Sequence, residues 1–320
     1  MDDDRLLLFS GTANEALAKD IAAQLDMTLA AATVKAWQDG ETRVRINENV
    51  RGADVFVIQP TCPPVDHNLM QLLIMIDALK RASPRRITAV IPYYGYGKQE
   101  KKSAGREPIT AKLVANLITI AGANRILTMD LHSPAIEGFF DIPVDHMRAG
   151  PLLADRVMDL KLRDLIVVSP DSGGVHRAYE FRGHIGKARL ALMAKYRPQP
   201  EQAEIVEMVG EVEGRTAIIV DDMIQSGGTV IECTEKLKEK RAGDVYVCVT
   251  HAVFAEGAIA KIKKSAIKKL IVTNTIPVSA EQCGNRIEVI TVAPLLAEAI
   301  QRIHKDLSLS TLIPPTTRPK

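Results

Sequence analysis

Short apolar runs alternate with helical stretches along most of the chain, and this alternation limits the possible folds more than any other feature. Typical apolar runs lie at residues 55–58, 88–91 and 217–220, and helical spacing fills stretches such as 69–82 and 108–121. Runs of four apolar residues are typical of strands buried on both faces of a parallel sheet. Their alternation with helices predicts an α/β fold in which helices cover both faces of a mostly parallel sheet.

The two halves of the chain show the same order of features. In each half a strand with a proline turn is followed by a strand with a glycine-bearing polar loop, and then by a strand that leads to a histidine. A gene duplication would explain this order, although strand-end loops look alike in many α/β proteins. We therefore predict two similar domains, 1–147 and 148–320, with the second opening at a helix that begins near Pro151.

Composition and motifs exclude several classes of function. The net charge of +2 gives no electrostatic reason to expect nucleic-acid binding. No apolar run reaches the roughly 20 residues that a membrane helix needs, and the acidic start does not resemble a signal peptide. The spacing of the four cysteines fits neither a zinc site nor a redox pair, which favours buried thiols in a reducing cytoplasm. Neither a P-loop nor a dinucleotide-binding glycine motif is present.

The segment VDDMIQSGGT, residues 220–229, is the clearest candidate for a binding loop. Asp221 and Asp222 follow a predicted buried strand, and small residues then lead into a helical stretch. Backbone N–H groups at such a helix start can bind a phosphate. Carboxylates beside a phosphate would repel it, so they suit sugar hydroxyls or a magnesium ion. The loop therefore predicts a sugar-phosphate site; the alternative is a capped helix with solvated acids.

Two further loops follow strands of the first half. Residues 92–108 combine tyrosines with Lys98, Lys101, Lys102 and Arg106, a mixture that suits stacking on a nucleotide base and contact with its phosphates. The alternative is a solvated basic loop. In MDLHSP, residues 129–134, Asp130 and His132 are two positions apart and can face one pocket. His132 could bind a phosphate or a metal, or have a structural role.

Two loops of the second half carry further candidates. SPDSGG, residues 169–174, places Asp171 at a strand end, where it could bind a metal directly or through water, unless the segment is an ordinary polar turn. AKYRP, residues 194–198, presents Lys195 and Arg197 on one face of an extended segment. Two such cations could reach a transferring phosphoryl group, or simply snorkel from a surface strand.

These segments together resemble the ribose-phosphate diphosphokinase family, also called the phosphoribosyl pyrophosphate synthetases. The resemblance extends from LFSGTANEALAKDIA to APLLAEAIQRIH, and GFFDIPVDH and VSPDSGGVHRA are among its most specific stretches. It implies two phosphoribosyltransferase-like domains. It also implies transfer of the β,γ-diphosphoryl group of ATP to O1 of ribose 5-phosphate, with Mg²⁺, which gives phosphoribosyl pyrophosphate and AMP.

The resemblance also implies roles for individual residues. Lys195 would be the catalytic lysine with Arg197 beside it, while His132 and Asp171, with Asp130, would be linked to the metal. ATP would meet Lys98, Gln99 and His132, and, from a neighbouring subunit, Trp37, Asp39, Gly40 and Glu41. Ribose 5-phosphate would be held by Arg197, Asp221, Asp222, Gln225, Ser226, Gly227, Gly228 and Thr229. A homo-oligomer built from dimers, a hexamer, would follow.

The chain departs from the family pattern at several positions. Gln225 and Ser226 replace an acid and a threonine of the sugar-phosphate loop, while Lys98 replaces an arginine whose planar fork stacks on adenine. These changes bear on donor specificity and affinity. A phosphate-responsive regulatory site is a further expectation, since Arg51, Ser308 and Ser310 match residues of the bacterial form.

Two other functions share parts of this pattern. A phosphoribosyltransferase would use the same sugar-phosphate loop but would not need the basic loop together with His132 in a second domain. A non-catalytic regulatory subunit would be expected to lack Lys195 or the pair Asp221 and Asp222, and all three residues are present. The sequence therefore favours the diphosphokinase.

Overall fold

The computed structural model describes residues 5–186, 188–196 and 205–312. Contacts divide these residues into two compact units. The first unit comprises 5–148, 275–277 and 291–312, and the second comprises 149–186, 188–196, 205–274 and 278–290. The first break lies next to the division expected after residue 147. The sequence-based division differs at the end of the chain, because residues 291–312 belong to the first unit.

The first unit is built on a five-stranded parallel sheet. The strands of the whole unit, which include those of a separate hairpin, are β1 (Leu6–Ser10), β2 (Ala32–Ala36), β3 (Thr42–Ile46), β4 (Asp54–Ile58), β5 (Arg86–Ile91), β6 (Arg125–Met129) and β7 (Val144–Met147). Its helices are α1 (Glu15–Gln24), α2 (Val65–Arg81) and α3 (Thr110–Ala121), with a 3-10 helix at Pro134–Phe139. The sheet order is β1-β4-β5-β6-β7, while β2 and β3 form a separate antiparallel hairpin.

The second unit contains a seven-stranded sheet. Its strands are β8 (Leu165–Ser169), β9 (Arg189–Tyr196), β10 (Ile205–Val209), β11 (Thr216–Ile224), β12 (Val245–Ala252), β13 (Lys269–Thr273) and β14 (Ile287–Ile290). Its helices are α4 (Gly150–Asp159), α5 (Val175–His184), α6 (Gly228–Glu239), α7 (Ala258–Lys264) and α8 (Ala280–Cys283). The order is β10-β9-β8-β11-β12-β13-β14, and every pair except β10 with β9 is parallel.

The predicted α/β class is confirmed, and the repeated order of features corresponds to a shared set of strands. The row β4-β5-β6-β7 of the first sheet matches β8-β11-β12-β13 of the second in chain order and direction. The next strand differs, because β1 precedes β4 in the chain whereas β9 follows β8. Four strands of each unit therefore follow one plan, and the strand beside them is supplied differently.

The last helix, α9 (Ala293–His304), belongs to the first unit, where it packs against α1. The fully buried Asp54, at the amino end of β4, holds it in place. Arg86 donates from Nε and Nη2 to the two oxygens of Asp54 at 2.9 and 2.5 Å. His304 Nδ1 lies 3.1 Å from Asp54 Oδ2, and Arg86 Nη2 also donates to the carbonyl of Ile303 at 2.9 Å.

Strand β11 is longer than the sequence suggests. We expected it to end at Val220, but its pairing with β12 continues through Asp221, opposite Val249, and Met223, opposite His251. The two acids are therefore residues of the strand itself, because β12 is long enough to pair beyond the apolar run. None of the helices in the described ranges is long and apolar enough to cross a membrane.

Candidate active site

Asp221 and Asp222 form an acid pair near the carboxyl end of β11. Asp222 is buried, the Asp221 side chain is largely buried, and the backbone N–H of Asp222 donates to Asp221 Oδ1 at 2.9 Å. Arg177 Nη1 lies 3.2 Å from Asp221 Oδ1 and 3.4 Å from Asp222 Oδ1. One guanidinium group therefore faces two carboxylates.

Arg177 is not among the site residues that the sequence predicts. Its position follows from the sheet, because β8 pairs directly with β11 and helix α5 begins shortly after β8. Arg177 is in the first turn of α5, so its side chain reaches the neighbouring strand. The stretch VSPDSGGVHRA contains it, but contact with the acid pair depends on strand order, which the sequence did not provide.

The acid pair has unusual electrostatics. Burial raises the pKa of Asp221 well above the ordinary carboxyl range, and the charge of Asp222 raises this pKa further. Arg177 lowers the pKa of Asp221 and so opposes both effects only in part. A polar ligand that donates hydrogen bonds to Asp221 would favour its charged form.

The loop after β11 ends in an exposed helix start. Gly227 has φ of 78°, a conformation that strains other residues, and α6 begins at the next residue. Gln225, Ser226, Gly228 and Thr229 are exposed. The carbonyl of Gln225 accepts from Ala255 N at 2.9 Å, which ties the loop to the end of β12. A 12-residue helix with its N-terminus open to solvent suits an anion such as a phosphate.

Asp171 and Lys195 lie on the same edge of the second sheet. Asp171 follows β8, and its Oδ1 accepts from the N–H of Gly174 at 2.9 Å, which fixes the turn before α5. Ser169 pairs with Leu192 in β9, and β9 runs on to Lys195, about 10 Å further in the same direction. Arg197, the second predicted catalytic cation, lies outside the described residues.

The loop after β5 differs from the expectation in its aromatic residues. Tyr93 and Tyr94 are buried, the hydroxyl of Tyr94 donates to the carbonyl of Ala111 at 2.8 Å, and its ring packs edge-on against Phe140. The prediction that the rings of this loop stack on a base is therefore wrong for these two tyrosines. They belong to the core because the loop folds back onto α3.

The polar part of this loop is exposed at the carboxyl edge of the first sheet. Lys98 and Gln99 are both exposed, and Gln99 Oε1 accepts from the hydroxyl of Thr110 at 2.5 Å at the start of α3. Gly97 lies against the next loop, since a Cβ there would be 3.8 Å from that of His132. Lys98 and His132 therefore lie on adjoining loops of one edge.

The loop after β6 is fixed by hydrogen bonds to residues of β7. Asp130 is buried with φ of 37°, and its N–H donates to the carbonyl of Met147 at 3.0 Å. The N–H of Leu131 donates to His146 Nε2 at 2.7 Å. His132 follows and is exposed. Burial is the main cause that lowers the pKa of His146, although its hydrogen bond to Glu137 acts in the opposite direction.

The predicted ATP-binding residues near the N-terminus lie at the turn of the β2–β3 hairpin. Trp37 N donates to the carbonyl of Glu41 at 2.7 Å, and Asp39 Oδ1 accepts from Glu41 N at 3.1 Å. Gly40 completes the turn with φ of 91°. The Trp37 ring is 49% exposed with Arg43 stacked 4.4 Å from its centre, so this tryptophan does not pack into a core of its own unit.

No group of three or more His, Cys, Asp or Glu side chains that could hold a metal ion occurs within residues 5–186, 188–196 and 205–312. Asp130, His132 and Asp171 are therefore at most partial ligands.

The two serines expected at a regulatory site, Ser308 and Ser310, lie together with their hydroxyl oxygens 2.9 Å apart.

Comparisons with known proteins agree with this arrangement. A family described as the N-terminal domain of ribose phosphate pyrophosphokinase matches residues 6–122, and a phosphoribosyl synthetase-associated domain matches residues 188–314. A ribose-phosphate pyrophosphokinase of Caldanaerobacter subterraneus is 52% identical over 96% of this chain and 97% of that protein. A ribose-phosphate pyrophosphokinase 1 of Spinacia oleracea is 48% identical over 97% of this chain and 93% of that protein.

A solved structure gives the same result. The crystal structure of phosphoribosylpyrophosphate synthetase from Mycobacterium smegmatis superposes with a TM-score of 0.90 at 42% identity. The match covers 94% of this chain and 99% of that chain. The similarity therefore extends over both units rather than over one of them.

Proposed function

The chain belongs to the ribose-phosphate pyrophosphokinase family and is an enzyme of phosphoribosyl pyrophosphate synthesis; we propose that its first unit binds ATP and its second unit binds ribose 5-phosphate. The reaction moves the diphosphoryl group of ATP to O1 of ribose 5-phosphate. The hydroxyl oxygen O1 bonds to the β-phosphorus, the bond from that phosphorus to the α,β-bridging oxygen breaks, and AMP leaves with that oxygen. The hydroxyl proton passes to solvent.

The observation that carries the second half of this proposal is the edge of the second sheet. An open helix start at Ser226–Thr229 lies a few residues beyond the acid pair, so a phosphate and its sugar can be held by one continuous segment. Asp221 and Asp222 accept hydrogen bonds from ribose hydroxyls, while Gln225 provides a neutral polar group beside them. Two carboxylates that share one arginine are suited to such donors.

The ATP site is proposed at the edge of the first sheet. Lys98 is proposed to meet phosphate charge, and the adjoining His132 and Gln99 to supply hydrogen-bonding groups, which is supported by their exposure and by the contact between the two loops. The hairpin turn with Trp37, Asp39, Gly40 and Glu41 is proposed to act from a neighbouring subunit. The half-exposed Trp37 ring supports this, since it offers a planar face to a partner or a base.

Mg²⁺ is proposed to be bound by substrate phosphates together with protein carboxylates. Its preferred ligands are oxygens, and it usually keeps several waters while it binds one or two carboxylates and substrate phosphates. Asp130 in the first unit and Asp171 in the second are separate candidates for such a carboxylate, and His132 is suited to a phosphate or to a water bound by the metal. Bound Mg²⁺ would neutralise charge on the phosphate oxygens of ATP.

Lys195 and Arg197 are proposed to stabilise the charge that develops on the transferring group. Such cations contribute mainly in the transition state, so their loss lowers turnover more than substrate binding. We expect Lys195→Ala to reduce AMP release by about 10³-fold or more, with ribose 5-phosphate affinity retained. Lys268→Ala is the matched control, because the Lys268 side chain forms an exposed ion pair with Asp244.

The assay for these variants follows AMP in the presence of ATP, ribose 5-phosphate and Mg²⁺. Near-normal turnover of Lys195→Ala would contradict the catalytic assignment. No AMP from the unaltered chain, together with normal binding of both substrates, would favour a non-catalytic regulatory subunit. A product formed only when a nucleobase is added would favour a phosphoribosyltransferase.

We further propose that the chain works as a homo-oligomer of dimers, a hexamer, in the cytoplasm. Support comes from an exposed apolar stripe along α3 that contains Ile109, Leu113, Leu117 and Ile120. A stripe of this kind is typical of a surface covered by another subunit. We expect Leu113→Glu with Ile120→Glu to give smaller species in sedimentation and to lower activity. Met158→Glu alters a single exposed methionine on α4 and should leave both unchanged.

A further inference from the structure

We infer that His146 is a positioning residue for the loop that carries Asp130 and His132. This inference rests on the proposed ATP-binding role of His132. Leu131 lies between Asp130 and His132 in the chain, and its backbone N–H donates to His146 Nε2 at 2.7 Å. His146 is at the buried end of β7 and is 5% exposed, so it cannot touch a ligand itself. Its effect on the reaction must pass through the loop.

The hydrogen bonds around His146 specify one tautomer. Nδ1 lies 2.5 Å from Glu137 Oε1, so it carries the proton and donates to the carboxylate. Nε2 accepts both from Leu131 N–H and from Arg148 Nη1, the latter at 2.5 Å. A proton on Nε2 would face two donors, so the neutral Nδ1–H form is the one that the surroundings require. Glu137 thereby makes Nε2 a reliable acceptor.

The loop needs such an anchor because its backbone is bent. Asp130 has φ of 37°, in the left-handed region that ordinary residues enter at some cost. Two bonds from β7 hold this bend: Asp130 N–H to the carbonyl of Met147 and Leu131 N–H to His146 Nε2. The first bond uses backbone atoms only. The second bond depends on the side chain of His146, so a substitution at this position can remove it.

Movement of this loop would reach the basic loop as well. His132 lies against Gly97, where a Cβ would sit 3.8 Å from the Cβ of His132, and Gly97 precedes Lys98. The 3-10 helix that carries Glu137 also packs against this glycine, because a Cβ on Gly97 would be 3.7 Å from Ile136 Cδ1. The Glu137–His146 pair therefore supports both loops assigned to ATP.

The test compares His146→Leu, which removes the acceptor, with His146→Gln, whose side-chain amide can still accept from Leu131. We expect His146→Leu to raise the KM for ATP and lower kcat, with kcat/KM for ATP reduced by about 10–100-fold, as for other residues that orient ligand-binding groups. The KM for ribose 5-phosphate should stay within about twofold, because that substrate is assigned to the other unit. His146→Gln should recover most of the loss.

His304→Leu is the matched control. His304 is another buried histidine of the same unit that contacts a carboxylate, but it ends α9 and its partner Asp54 lies at the amino end of β4. It should lower thermal stability without a selective effect on the KM for ATP. Hydrogen exchange measured by mass spectrometry gives a second readout: a peptide spanning residues 129–135 should exchange faster in His146→Leu and at the original rate in His304→Leu.

His132→Ala separates failure of this inference from failure of the proposed function. If His132→Ala and His146→Leu both keep normal ATP kinetics, the proposed role of His132 is wrong and the inference falls with it. If His132→Ala is impaired while His146→Leu has normal ATP kinetics and normal exchange at 129–135, the inference alone is overturned. Equal losses for both substrates in His146→Leu would also overturn it, since they indicate a general structural effect.

Discussion

Asp54 in the first unit and Asp221 in the second are both largely buried carboxylates in β-strands, yet their partners differ. Asp54 has two contacts with Arg86, an ion pair with Arg85 and a contact with His304. Asp221 shares Arg177 with a second carboxylate, Asp222. Two arginines thus lie beside one carboxylate in the first unit, whereas one arginine contacts two carboxylates in the second.

The two positions in the sheets explain the difference. Asp54 begins β4, at the amino edge, where it fastens α9 onto the unit. Asp221 is near the end of β11, at the carboxyl edge, where ligands bind in open α/β sheets. Removing one partner of a buried ion pair is strongly destabilising, whereas a carboxylate whose pKa is raised by burial and a neighbouring acid is a candidate for a ligand site. Charge balance therefore separates a structural carboxylate from a binding one.

The largest effect is expected at Asp54. Asp54→Asn leaves Arg86 and His304 facing a neutral amide, and breaking a buried ion pair costs about 3–5 kcal/mol. A loss of this size should lower the Tm of the first unit by roughly 10 °C. The measurement is calorimetric melting, with activity at low temperature retained. Asp77→Asn breaks an exposed ion pair with Arg81 and should leave Tm unchanged; equal melting of both variants would contradict the structural role.

The opposite pattern is expected at Asp221. Donor hydroxyls of the bound sugar favour the ionised form of Asp221, and Asp221→Asn removes this charge-assisted hydrogen bond, which should lower kcat/KM for ribose 5-phosphate by about 10–100-fold. Tm should not fall, because the change relieves repulsion with Asp222. Steady-state kinetics and melting on one preparation check both points. A large loss of Tm with unchanged kinetics would mean that Asp221 is a structural carboxylate like Asp54.

Sequence patterns were sufficient for the parts of this comparison that depend on neighbouring residues. They predicted the apolar strands, the loop after β11 and the two acids near the end of that strand. They did not predict that α9 returns to the first unit, or that Arg177 faces the acid pair, because both contacts join segments far apart in the chain. The end of β11 was misplaced because its polar residues pair with a strand, β12, whose length the run at 217–220 does not reveal.

Site residues show the same limit. Trp37, Asp39 and Glu41, which the family resemblance groups together, do lie together in the turn before β3. Tyr93 and Tyr94 were assigned to a ligand from their composition, but the fold buries them beside α3. Local sequence reports the chemistry of a loop, whereas packing decides which side chains of the loop remain available.

A smaller effect is expected in the pH dependence of Tm, to which Asp221 should contribute. The pKa of Asp221 is raised in the folded chain, so its contribution to stability is present at pH values below the ordinary carboxyl range and is lost as pH rises through the raised pKa. Without ligand, Tm should fall by roughly 2–4 °C between pH 5 and pH 9 for each kcal/mol lost. Asp221→Asn should flatten this dependence. An identical slope in both proteins would show that other groups control it.

The smallest effect is expected at Gln225, which lies between the acid pair and the helix start. Gln225→Asp adds a carboxylate two residues from the open N-terminus of α6, where it competes with the substrate phosphate for the positive end of the helix. We expect the KM for ribose 5-phosphate to rise about threefold, and less at high salt because Gln225 is exposed. Turnover and the KM for ATP should not change. Gln225→Asn shortens the side chain without adding charge, so it separates the effect of length from that of charge. Gln225→Asp could instead alter the KM for ATP and leave the KM for ribose 5-phosphate unchanged. That result would show that the two substrates have been assigned to the wrong units, and the acid pair Asp221 and Asp222 would then need another ligand.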